Sequence, residues 1–348
     1  MHDLRNPRGL GTVEALVEAG LARPEDRPLL ARLEEEFRIL VSPAMQAAIA
    51  SPDDPVARQF LPDPRELRIG PQDLHDPIGD RSHSPVPGLT HRYPDRAIMH
   101  LTQTCAVYCR FCFRRETVGD SGHLSKPEIA ACLDHIRATP GLREVILTGG
   151  DPLVLSARRI RETVSALGEI PTLETLRVHS RVPVVAPERI NPEMIEALRA
   201  SALPVWVVVH TNHVQELTEP ARAALGRLAD AGVPLLAQTV LLRGVNDTVD
   251  ALESLFRALL RLRVKPYYLH HCDLARGAGH FRTTIAKGQD LMAGLRGRLS
   301  GAALPTYVLD IPGGHGKVPI GPGYLEGDGP YRVRDPMGGM HPYGDPLP

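Results

Sequence analysis

The strongest constraint in this chain is a rhythm: short runs of branched apolar residues alternate with amphipathic stretches through its middle. Strand-like runs stand at 97–103 (AIMHLTQ), 144–150 (EVILTGG), 175–180 (TLRVHS), 204–211 (PVWVVVHT), 234–242 (PLLAQTVLL) and 264–271 (VKPYYLHH). From the second onward they recur about every 30 residues, the length of one βα unit, which predicts parallel strands joined by right-handed crossovers. Six such units predict an α/β fold, a partial (β/α) barrel with its chemistry at the C-terminal ends of the strands. An open doubly wound sheet is the competing architecture, but no G-x-G-x-x-G follows the first strand.

Helix starts fall between these runs. Ser125 with Glu128 forms a capping-box pattern, Asn191 precedes Pro192 as an N-cap, and Thr218 precedes Glu219-Pro220. Ahead of the rhythm, helix-like segments at Val13–Ala22, Pro28–Arg38 and Pro43–Ile49 lead into a run rich in Pro and Asp, 51–88. Proline breaks that run too often for a long helix or central strand, so it is expected to wrap over a neighbouring surface. Beyond the rhythm, LPTYVLDI (304–311) leads into a glycine-rich loop, and residues 320–348 read as a coil or lid. The expected organisation is an N-terminal helical and wrapping segment (1–95), a partial barrel (96–303) and a C-terminal segment (304–348).

With 40 basic and 41 acidic residues and a net charge of -1, nucleic acid is a poor first partner. The N-terminal stretch lacks a signal-like pattern, and no apolar run approaches the roughly 20 residues of a membrane span. A cytoplasmic protein with no membrane partner is expected. Five cysteines, three of them crowded between Cys105 and Cys112, suit metal ligation better than a disulfide framework.

The segment TCAVYCRFCFRR spaces Cys105, Cys109 and Cys112 as C-x-x-x-C-x-x-C, just after the first strand. A loop of this length can direct three thiolates to one point, and soft sulfur ligands suit zinc or an iron–sulfur cluster. Structural zinc needs a fourth ligand that the loop lacks. Cys132 sits in a helix-like segment where burial is expected, and Cys272 is remote in sequence. Three cysteines on a four-iron cubane leave one iron open to a substrate. At the other end of the chain, DIPGGHGKVP places Lys317 after a glycine-rich run. Ile311 and Val318 stand where a nucleotide-binding phosphate loop needs glycine and a magnesium-holding hydroxyl. A lysine among small neighbours can instead form a Schiff base with an aldehyde.

The cysteine loop after the first strand, with LTGGDPL (147–153) after the second, resembles the radical S-adenosylmethionine (SAM) superfamily. SPVPGLTHRYPDRAIM (84–99), CRFCFRR (109–115), LLAQTVLLRGVND (235–247), HHCDLARGAGHFRT (270–283) and LDIPGGHGK (309–317) narrow it to the lysine 2,3-aminomutase family, from about residue 60 to 325. The resemblance implies a radical SAM partial (β/α)6 barrel with an N-terminal helical extension and a C-terminal loop for pyridoxal 5'-phosphate (PLP). It implies a [4Fe-4S] cluster on Cys105, Cys109 and Cys112, and SAM contacts from Gly149, Gly150 and Asp151. Lys317 matches the PLP lysine; Arg92, Tyr93, Arg96 and Gln238 match positions around PLP. Arg114 matches the residue that pairs with the substrate α-carboxylate, and Asp273 and Asp310 match the aspartates that receive a lysine side-chain ammonium.

The implied reaction is a 1,2-amino shift started by a deoxyadenosyl radical that takes hydrogen from the β-carbon of lysine. An electron donor such as flavodoxin or ferredoxin is implied, and a homo-oligomer is allowed. The chain resembles short family members that lack a zinc-binding C-terminal extension, some of which supply β-lysine for modifying elongation factor P. Two other readings compete: the same shift on another amino acid, and an iron–sulfur electron carrier without PLP chemistry. From the residues alone, Arg92 and Arg96 could be a surface or structural ion pair, Asp310 a strand end and Asp273 a turn cap. His270 and His271, adjacent on a strand, must face opposite ways, so at most one meets the site. His315 has no expected role.

Overall fold

The computed structural model describes residues 9–119, 122–328 and 331–344; the first eight residues, part of the stretch read for a leader, lie outside these. Nine strands form one sheet in chain order: β1 (Leu89–Tyr93), β2 (Arg96–Thr102), β3 (Glu144–Gly149), β4 (Thr175–Ser180), β5 (Val205–His210), β6 (Leu235–Leu241), β7 (Lys265–His271), β8 (Thr306–Asp310) and β9 (Lys317–Pro319). Strands β2 to β8 pair parallel, each with its chain neighbour. Antiparallel β1 and β9 flank the two ends. The six runs read as strands are β2 to β7, and the run at 304–311 supplies the seventh parallel strand, β8. Neither β1 (LTHRY) nor β9 (KVP) carries an apolar run, so neither was legible; each is a strand because it pairs with a sheet edge.

Helices occupy the connections. In Val249–Arg261 the buried residues Leu252, Leu255, Phe256 and Leu259 repeat at helical spacing, one face of the helix laid on the sheet. Ser125 and Glu128 cap Lys126–Arg137 reciprocally, Asn191 accepts from the Met194 amide, and Thr218 holds the N-cap position without a side-chain bond. Strand residues alternate: Leu176 and Val178 of β4 are buried in the core beneath the helices, whereas Arg177 and His179 face a central cavity. That alternation is why polar and charged groups collect inside the curl.

The N-terminal helices Val13–Glu18, Arg27–Glu36 and Pro43–Ala48 place Leu16, Leu33 and Met45 in the same continuous core as the strands. In the Pro/Asp-rich run, Leu74 bridges to Ala275 and Gln59 is wholly buried. The C-terminal expectation needs correction. Instead of a coil, Leu325–Glu326, Tyr331–Arg334 and Met340–Tyr343 form a small antiparallel sheet. Its second hairpin is closed by Asp335, whose carboxylate accepts from the Met337 and Gly339 amides. Among the described residues no helix is long and apolar enough to cross a membrane.

Candidate active site

Cys105, Cys109 and Cys112 follow β2 and line a cavity of about 870 Å³ inside the curl of the sheet. Among the described residues no group of three His, Cys, Asp or Glu is set to hold a single ion, yet the three thiols lie near enough for the charge of one to act on the next. They share a wall, which fits a four-iron cubane, because each thiolate takes a different iron. Burial raises all three thiols, Cys112 to about 11, so metal loading must displace protons. Arg181 is a cationic neighbour of Cys109: its Nη1 donates to Cys109 Sγ at 2.7 Å, and its Nη2 donates to Gln59 Oε1 at 2.6 Å and Glu216 Oε2 at 2.8 Å.

The LTGGDPL turn lies against the cysteine loop. A Cβ on Gly149, whose φ is +113°, would stand 2.4 Å from the Thr102 carbonyl oxygen, and one on Gly150 would stand 2.3 Å from that of Thr104. Close backbone approach is therefore what this glycine pair provides, and both line the cavity. Asp151 also lines it, but its buried carboxylate is engaged inside the protein. It accepts from Ser180 Oγ at 2.7 Å and from the Arg181 and Val182 amides at 2.6 and 3.1 Å, tying the end of β3 to the end of β4.

The lysine end is built by one hairpin. The glycine-rich loop folds back so that β9 pairs with β8, and Lys317 falls in register with Asp310. Directly opposed residues of an antiparallel pair share a face. Lys317 Nζ pairs with Asp310 Oδ2 and lies 3.2 Å from His270 Nδ1, while its backbone amide donates to Tyr93 Oη at 2.8 Å. Burial opposes ionisation of Asp310, but the His270 bond and the Lys317 charge hold it well below the usual carboxylate range. Asp273 is the converse. No hydrogen bond reaches its carboxylate among the described residues, and burial, then the Asp310 charge, push it up to about 7. It caps no turn.

Arg92 and Tyr93 come from β1, Arg96 from the start of β2, Gln238 from β6, and Arg114 from just beyond the last cluster cysteine; all line the cavity. The Arg96 guanidinium stacks 3.6 Å from the Tyr93 ring centroid. Arg92 Nη2 and Arg114 Nε donate to the two oxygens of one carboxylate, Asp80, at 3.0 and 2.8 Å. Asp80 was not singled out from the sequence; its only signal was membership of the wrapping run. Also unread were Arg181 and the Arg177–Glu144 pair, bidentate at 2.7 and 2.6 Å, whose signal was position on inward strand faces. Of the two adjacent histidines, His270 faces the cavity and His271 Nδ1 turns away to Tyr307 Oη at 2.7 Å. His315 is exposed and outside the cavity. Cys132 is buried in its helix, and Cys272 packs against Phe111 of the cluster loop without reaching the cavity.

Comparison with known proteins names this arrangement. A family model described as Radical SAM superfamily matches residues 99–255, and the thiol-lined half-barrel defines a radical SAM enzyme. A second model, Lysine-2,3-aminomutase, matches residues 292–346. L-lysine 2,3-aminomutases of Acetoanaerobium sticklandii and Clostridium subterminale are 43% and 44% identical, each over 90% of this chain and 76% of their own length. A glutamate 2,3-aminomutase of Clostridioides difficile is 38% identical over 88% of this chain and 72% of its own. The chain belongs to the lysine 2,3-aminomutase family. It is accordingly an isomerase of the radical SAM type, using a [4Fe-4S] cluster, SAM and PLP.

Proposed function

We propose that this aminomutase acts on L-lysine, moving its α-amino group to the β-carbon to give β-lysine. The observation that carries the substrate is the Lys317 ammonium itself. It sits against Asp310 and the His270 ring, with Asp273 near enough to feel both charges. A pocket that already receives one alkylammonium suits a substrate side chain that ends in another. Two acidic groups there oppose a second carboxylate, which disfavours glutamate, the substrate named for one relative.

Asp273 and Asp310 supply acceptors for a side-chain ammonium, and Arg114, which also lines the cavity, would offer a fork for the α-carboxylate. Cys105, Cys109 and Cys112 would hold the cluster, the Gly149–Gly150 turn beside them would meet SAM, and Lys317 would hold the PLP aldehyde. Arg92 would meet the PLP phosphate, with Arg96, Tyr93 and Gln238 around the ring. When bound, these groups supply a carbon radical and a route for nitrogen between adjacent carbons. The chain's own residues align the substrate and exclude water; Ile98, Ile146, Trp206 and Leu236 give the cavity apolar walls. Free cysteine ligands suit the reducing cytoplasm, the compartment we propose, and the cluster needs a protein electron donor such as flavodoxin or ferredoxin.

Anaerobic incubation with SAM, PLP, a reductant and either lysine or glutamate tests the substrate. β-Lysine as the product supports the reading; product from glutamate and none from lysine refutes it. Lys317→Ala should abolish the PLP imine absorption while leaving the cluster absorption in place.

A further inference from the structure

Arg92 and Arg114 reach the cavity from different elements, one on β1 and one beyond the cluster cysteines, yet each is held by an oxygen of the same carboxylate. The side chains of Asp80, Arg92 and Arg114 are 16%, 8% and 13% exposed. Each guanidinium donates through one side to Asp80, which fixes its plane and leaves other N–H groups available to a ligand. Two positive charges around one negative charge leave the cluster cationic, as a site for anions requires.

The backbone that carries Asp80 is itself pinned. The Asp76 carboxylate accepts from the Asp80 and Arg81 amides, both at 3.0 Å. Gly79, with φ at +68°, presses on the loop that carries Lys317, so closely that a Cβ would stand 2.6 Å from the Gly314 amide nitrogen. His83 Nδ1 lies 2.9 Å from the Gly79 carbonyl and closes the turn. Residues 76–83 therefore touch both arginines and the lysine loop. Ionisation of Asp80 is consistent with this: burial opposes it, but Arg114, then His100 and Arg92, hold the carboxyl below its usual range.

We propose that Asp80 is a positioning residue that orients the cofactor-phosphate arginine and the substrate-carboxylate arginine together, so that one side chain of the wrapping segment serves both subsites. The proposal rests on the roles given above to Arg92 and Arg114. Four variants of the full-length, cluster-loaded protein test it: Asp80→Asn, Asp80→Glu, Arg92→Ala and Arg114→Ala. PLP capture is read as imine absorption without SAM or reductant, and lysine KM and kcat are read separately under turnover conditions. Asp80→Asn should weaken PLP capture and raise lysine KM together, each by about tenfold to a hundredfold, the span of a lost charge-assisted bond. Its kcat at saturation, iron content and unfolding midpoint should stay near those of the parent. Arg92→Ala should weaken PLP capture without raising lysine KM, and Arg114→Ala should raise KM without weakening PLP capture. Asp80→Glu should bring both affinities back to within a few fold.

If both arginine variants behave so while Asp80→Asn changes neither affinity, or only one, the positioning role is overturned and the arginine roles stand. If Arg92→Ala leaves PLP capture intact or Arg114→Ala leaves KM intact, the reading of the arginines fails and takes the proposal with it. Should Asp80→Asn not fold, Asp80→Glu decides: near-parental values for both ligands support the role, and a loss confined to one ligand overturns it.

Discussion

Replacing Asp273 by asparagine should make the ligand-free protein more stable at pH 8 than its parent, although it removes a residue we place in the substrate site. Burial and the Asp310 charge push the Asp273 carboxyl up to about 7 from an ordinary 3.8. The folded-state value lies above the unfolded one, so folding favours the protonated form. Below about pH 4 both states are protonated and the group adds no pH dependence. As pH rises from there to 7, the unfolded carboxyl ionises and the buried one does not, so stability falls by about 1.4 kcal/mol per pH unit and levels off above 7. Between pH 5 and pH 8 the loss is about 3 kcal/mol. Asparagine has the same shape and does not titrate. Urea unfolding of parent and variant at the two pH values should show the advantage of the variant growing by about that amount. Lysine added at pH 8 should stabilise the parent and not the variant, because an ammonium is the missing partner of the carboxylate. An advantage that stays constant within about 1 kcal/mol from pH 5 to pH 8 would refute the reasoning, since the carboxyl would then carry no burial penalty.

Glu66→Gln should destabilise the protein by about 3–5 kcal/mol, the cost of removing one member of a buried ion cluster. Glu66 is wholly buried and accepts from Arg110 Nε and Nη2 and from Arg115 Nη2, the arginines that bracket Cys112; thermal unfolding and iron content read the loss together. Gly150→Ala should fold poorly or lose iron, because its Cβ would collide with the Thr104 carbonyl oxygen at 2.3 Å; full iron loading in this variant would show that the turn yields. Tyr93→Phe removes the acceptor of the Lys317 amide and should weaken PLP capture, by about 1–3 kcal/mol if that amide stays dry; unchanged imine titration would mean water replaces the hydroxyl.

What could be read from this chain by itself was local. Strand runs repeat at period two, helix faces repeat at 3.6, and a cap is complete within four residues, so β2 to β7 and the starts at Ser125 and Asn191 were legible. The C-x-x-x-C-x-x-C spacing belongs to one loop, and it pointed to a cluster before any fold was known. Residues brought together by the family resemblance, from Arg92 to Lys317, do line one cavity, though what each does there is our proposal. The tertiary structure alone decided which groups meet. β9 exists because its backbone completes the edge of β8, which sets Lys317 opposite Asp310. Asp80 joins Arg92 of β1 to Arg114 of the cysteine loop, and Asp151 braces β4 rather than standing free at the cavity wall. Partners of this kind are chosen by the closure of long loops and by the burial of charge. Both are properties of the folded whole, and neither leaves a periodic trace in the sequence.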